Sequence, residues 1–110
     1  MTRLLTALLA LLPVAAQSEL SMNTTRYTCD RGVEVPATYV NDQDGGSVAI
    51  LSLEGRQISL FSEPTGSGAR YGWPSDGANY VWSTKGSEAS LYWKEAGAET
   101  LILGNCKEAS

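Results

Sequence analysis

The chain contains no histidine, and that absence excludes more chemistry than any other feature of its 110 residues. Without imidazole there is no Ser-His or Cys-His pair and no side chain whose ordinary pKa suits a general base at neutral pH. Cysteine is almost as scarce, with Cys29 and Cys106 the only two. Two thiols without histidine fall short of a metal site's ligand set. Only one phenylalanine is present, and beyond residue 12 there is no long apolar run and no stripe of helical period. Basic side chains are the minority, eight against twelve acidic. Nucleic-acid binding, which depends on Lys and Arg neutralising phosphates, is therefore excluded as a leading reading.

What is present begins with a secretory signature over residues 1–16. Arg3 supplies the positive charge, an apolar run covers residues 4–12, and Pro13 ends it. Val14, Ala15 and Ala16 offer small residues for cleavage before Gln17. The run is shorter than the roughly 20 residues of a membrane span, and no cysteine follows it until Cys29. We therefore expect a soluble, periplasmic protein with no membrane anchor, monomeric or weakly dimeric. In that compartment Cys29 and Cys106 form, most simply, one disulfide between the first and last strands. Once Arg3 is removed, seven basic side chains face twelve acidic ones, a formal charge of −5. Such a domain attracts basic partners at long range, less so as salt rises.

Residues 17–24 read as a loose polar terminus and residues 25–110 as one domain. Short stretches rich in Val, Ile, Leu, Thr, Tyr and Trp are broken roughly every 8–12 residues by turn formers, the pattern of an all-β fold. Strands are expected at 25–30, 33–40, 47–53, 56–61, 68–73, 79–84, 87–94 and 99–106. Pro36 marks an edge or bulge. Alternation places Ala89, Leu91 and Trp93 on one face, and Leu101 with Leu103 opposite Ile102. Short connections favour antiparallel neighbours. A Cys29–Cys106 bridge would hold the first and last strands together, so the expected architecture is a small eight-stranded antiparallel β-barrel closed by one disulfide, its interior filled by side chains.

The sequence offers little for catalysis, and we expect no enzyme, no metal and no cofactor. A Ser67–Lys85 dyad would need a desolvated lysine, whereas Lys85 falls at a hairpin turn. The acids lie mostly in turns (Asp42, Asp44, Glu54, Asp76), where solvation accounts for them. Gly66-Ser67-Gly68 precedes no helix and so cannot cradle phosphate. The informative feature is placement. Ser67 precedes the fifth strand and Lys85 follows the sixth, so an antiparallel pair presents both from one rim. Arg70 is either a contact or an ion-pair partner. Tyr71, Trp73, Tyr80, Trp82 and Tyr92 divide between core, interface anchors and a sugar-stacking platform.

Ser67-Gly68-Ala69-Arg70-Tyr71 followed by Lys85-Gly86-Ser87-Glu88-Ala89-Ser90-Leu91 resembles the paired motifs, SGxxY and KGxxAxL, of the bacterial C-type lysozyme inhibitor family. Tyr27-x-Cys29, Ser75-Asp76-Gly77, Tyr80 and Asn105-Cys106 extend the likeness over most of the chain after residue 16. Without a lipid-attachment cysteine the sequence is more similar to the periplasmic branch. Residues 72–74 look inserted relative to the common pattern, as does one residue before Lys85. The resemblance implies an eight-stranded barrel that inserts a serine loop and a lysine turn into the cleft of C-type lysozyme. The implied lysozyme-binding residues are Ser67, Gly68, Arg70, Tyr71, Tyr80, Lys85 and Gly86. Two other readings are a periplasmic peptidoglycan-binding module using exposed aromatics and a carrier with an open apolar cavity.

Overall fold

The computed structural model describes residues 19–75 and 77–109; the expected signal segment, Asp76 and Ser110 lie outside them. Eight strands run in order: β1 Leu20–Thr28, β2 Glu34–Asp42, β3 Ser47–Leu53, β4 Arg56–Glu63, β5 Ala69–Gly72, β6 Asn79–Lys85, β7 Glu88–Glu95 and β8 Ala98–Glu108. Each pairs antiparallel with the next, and β8 returns to β1 through Tyr27↔Glu108 and Thr28↔Lys107, closing a barrel. The Cys29–Cys106 disulfide clasps that seam across 77 residues. On the chain-entropy account such a link contributes about 4 kcal/mol. The expected fold class is the observed one.

Period-2 patterning explains why these strands face as they do. Val35 and Ala37, Ala49 and Leu51, Ile58 and Leu60 are buried, while most of their immediate neighbours along each strand stay accessible. Trp82 lies at the centre, fully buried, edge-on to Tyr27 at 5.2 Å and donating through Nε1 to the Tyr39 hydroxyl at 2.8 Å. Tyr39 in turn shares a 2.9 Å hydrogen bond with Tyr27. Burial pushes the Tyr39 phenol well above its ordinary pKa, and that of Tyr27 in the same direction. Interior space is thus occupied by side chains, which leaves the carrier reading without support.

Two expectations need correction. The polar stretch expected to be loose is ordered in part: β1 begins at Leu20 and pairs with β2 from Leu20↔Asp42 onward. From Leu20 to Thr24 the strand is exposed on both faces, so no alternation of buried and exposed positions marked it. Leu101 does not share the interior with Leu103; it is exposed whereas Leu103 is buried. Register shifts on β8, between the partners of Ala89 and Leu91 and again between those of Leu91 and Tyr92, each insert a residue and reverse the facing. Asn105, with φ 53°, lies within the first shift. Pro36 fits its expected edge position, since β3 stops pairing with β2 at Ala37↔Leu51.

Candidate functional site

The β4–β5 connection carries Ser67, and the two-residue β6–β7 connection is Gly86-Ser87. Antiparallel order puts both at one end of the barrel. Gly68 holds them together. Its backbone lies so close to β6 that a Cβ there would overlap the Thr84 carbonyl oxygen and sit 3.3 Å from Lys85 Cβ. Its φ of 69° is also in the left-handed region that side chains disfavour. Only glycine meets both demands, so the serine loop is seated directly against the lysine strand end. Gly86, with φ 61° at the first position of its turn, supplies the conformation that a tight II′ hairpin requires.

Lys85 is the last residue of β6, opposite Glu88, rather than the turn tip itself. It is exposed, and the described residues place no carboxylate within ion-pair distance of its ammonium. Ser67 is exposed as well; its carbonyl accepts a hydrogen bond from Thr65 Oγ1 at 3.3 Å, and its hydroxyl has no partner among the described residues. One hydroxyl and one ammonium therefore stand uncommitted on a fixed backbone. Beside them an open depression of about 170 Å³ is lined by Ser83, Lys85, Glu88, Ser90 and Asn105, among others.

The remaining candidates divide. Arg70 is committed to ion pairs: Nε donates to Glu63 at 2.9 Å, and the guanidinium fork takes both oxygens of Glu99. Those hydrogen bonds, Glu99 first, raise its pKa, and Arg70 holds the Glu99 carboxyl below its usual range. Tyr71, expected as a contact, is buried against Tyr39 at 5.6 Å and belongs to the core. Its strand points it inward, opposite in facing to Arg70. Tyr80 is half-buried at the other end of β6 from Lys85, edge-on to Trp93 at 5.0 Å, with its hydroxyl accepting from Arg56 at 3.2 Å. Strand polarity separates Tyr80 from the Ser67–Lys85 rim. Asn105 and Glu88, which line the depression with Lys85, entered the sequence reading only as motif residues and not as contacts; the β8 register shift that brings Asn105 there has no local signature.

Comparison with known proteins places the fold in a family. The family model described as membrane-bound lysozyme-inhibitor of c-type lysozyme matches residues 27–100. The chain belongs to that family. A Pseudomonas aeruginosa relative, a membrane-bound lysozyme inhibitor of C-type lysozyme, is 31% identical over 104 residues, covering 94% of this chain and 78% of the relative. The crystal structure of the periplasmic lysozyme inhibitor of C-type lysozyme from Salmonella typhimurium matches with a TM-score of 0.70 and 29% identity, over 82% of this chain and all of that one. That of Pseudomonas aeruginosa MliC, solved in complex with hen egg white lysozyme, matches with a TM-score of 0.62 and 26% identity, over 94% and 99% of the two chains. Family members so named are inhibitors rather than enzymes, in keeping with a chain that has no histidine.

Proposed function

We propose that this family member is an exported, soluble inhibitor of C-type lysozyme that seats the Ser67 loop and the Lys85 strand end in the enzyme's active-site cleft. The observation that carries this reading is the uncommitted pair of polar groups locked on one rim by Gly68. Lysozyme cleaves glycan with one protonated and one ionised carboxyl. An ammonium entering that cleft pairs with the ionised carboxylate in a desolvated setting, and a hydroxyl hydrogen-bonds to the other acid. Since both acids are needed, occupying them stops turnover without any chemistry by the inhibitor. The acidic balance of the chain, twelve acidic side chains against eight basic, favours encounter with a basic enzyme.

Arg70 and Tyr71 take a supporting part in this reading: the first holds outer strands together and the second fills the core. Tyr80 faces away from the rim. The test is lysis of a bacterial cell-wall suspension by a C-type lysozyme, with increasing amounts of the oxidised chain from Gln17. Stoichiometric inhibition, weakened sharply by Lys85→Ala, is the expected outcome. A folded chain that leaves lysis unchanged at about micromolar concentration, where inhibition of this kind should be complete, would refute the reading.

A further inference from the structure

At the opposite rim, the first half of β4, the residue that follows β5 and the start of β6 border an open depression of about 310 Å³, its wall including Arg56, Gln57, Trp73, Asn79 and Tyr80. This volume falls at the small end of ligand clefts, roughly 300–1,000 Å³. Trp73 is 40% exposed, with its ring packed on Phe61 at 5.3 Å and the remainder open. Asn79 accepts from the Tyr80 backbone N–H through Oδ1 at 2.7 Å, which leaves both of its amide N–H groups to give. Arg56 spends one donor on Tyr80 and makes no ion pair among the described residues, although Glu54 lies close enough to act on its charge. Among the described residues no carboxylate lines the depression.

Indole beside planar, donor-rich side chains matches one chemistry well. A pyranose ring lays its C–H face on an aromatic surface and turns hydroxyl and acetamido oxygens toward amide and guanidinium donors. We propose that this depression binds a short N-acetylhexosamine glycan. The site is independent of the inhibitory rim and does not require that reading to hold. If both sites operate, the protein engages lysozyme at one end of the barrel and the enzyme's polymeric substrate class at the other.

The three tryptophans allow a direct test by nitrogen–proton NMR titration of the oxidised protein with triacetylchitotriose. The Trp73 indole N–H should shift and saturate with a Kd on the order of 1 mM. The buried Trp82 indole, held by Tyr39, should stay in place. Trp73→Ala, with its melting temperature preserved, should weaken binding by about tenfold or more, and Arg56→Gln by a smaller factor. Lys85→Ala should bind the glycan as the parent does, and Trp73→Ala should inhibit lysozyme as the parent does. No saturating shift up to about 10 mM would overturn the proposal. Binding that survives both Trp73→Ala and Arg56→Gln, or that maps to Ser67 and Lys85, would overturn it equally.

Discussion

Two cationic regions lie close together in this barrel, and their side chains are used in opposite ways. On the outer face of β5, Arg70 is clamped between Glu63 of β4 and Glu99 of β8. At the rim where β6 ends, Lys85 has no such partner among the described residues, while its backbone is tightly held by the approach of Gly68. Sequence alone sets Lys85 at the rim but leaves Arg70 open, as either a contact or an ion-pair partner. The structure separates them by what each has left to give. A group whose charge is already matched joins strands together; a group whose backbone is fixed and whose charge is unmatched is free to act on a partner.

The sharpest way to break this distinction is the double substitution Ser67→Ala/Lys85→Ala. It should abolish stoichiometric inhibition of lysozyme at unchanged melting temperature, because it removes both groups offered to the cleft and nothing from the core. Retained inhibition would assign recognition to other surfaces. Next in size is Gly68→Ala, which forces a Cβ against the Thr84 carbonyl at a left-handed φ. Here we expect a loss of roughly 2–4 kcal/mol of folding stability together with weaker inhibition, read by denaturant titration and by the lytic assay. Unchanged stability would show that the loop is not seated on β6 as described.

Much of this architecture was legible in the sequence, for identifiable reasons. Two-residue turns such as Glu54-Gly55 and the inward alternation at Ala49, Leu51, Ile58 and Leu60 are local signals, and they specify hairpins reliably. The rim followed from strand polarity once the hairpins were placed. What stayed hidden is non-local. Leu101 faces outward because residues far upstream set the register of β8, and Asn105 comes to line one depression with Lys85 for the same reason. Tyr71 lies within a surface motif yet points inward, and Arg70 meets Glu99 only after the sheet has curled round. The ordering of Leu20–Thr24 against β2 left no trace in hydropathy, since backbone pairing rather than burial holds it.

A smaller effect should appear at high pH, in the core rather than at either cationic region. Burial holds the Tyr39 phenol above its unfolded value of 10.0, so the folded chain keeps a proton that the unfolded chain releases. Stability is therefore full below that value and falls as pH rises beyond it. Melting temperatures should be flat up to about pH 9 and decline above about pH 10. Tyr39→Phe should lower the melting temperature at neutral pH, leaving the Trp82 N–H without its acceptor, and soften the alkaline decline. An equally steep decline in that variant would place the titration elsewhere.

The smallest effect expected is that of Arg70→Ala, within about 1 kcal/mol of folding stability, because the ion pairs it removes are partly solvated. That modest value makes Arg70 the natural control for Lys85. The most direct test of the account is calorimetric binding of the parent, Lys85→Ala and Arg70→Ala proteins to one C-type lysozyme. The account predicts that Lys85→Ala loses about 2–5 kcal/mol of binding free energy, whereas Arg70→Ala loses under about 1 kcal/mol. The reverse ranking, with Arg70 dominant and Lys85 near neutral, would contradict it.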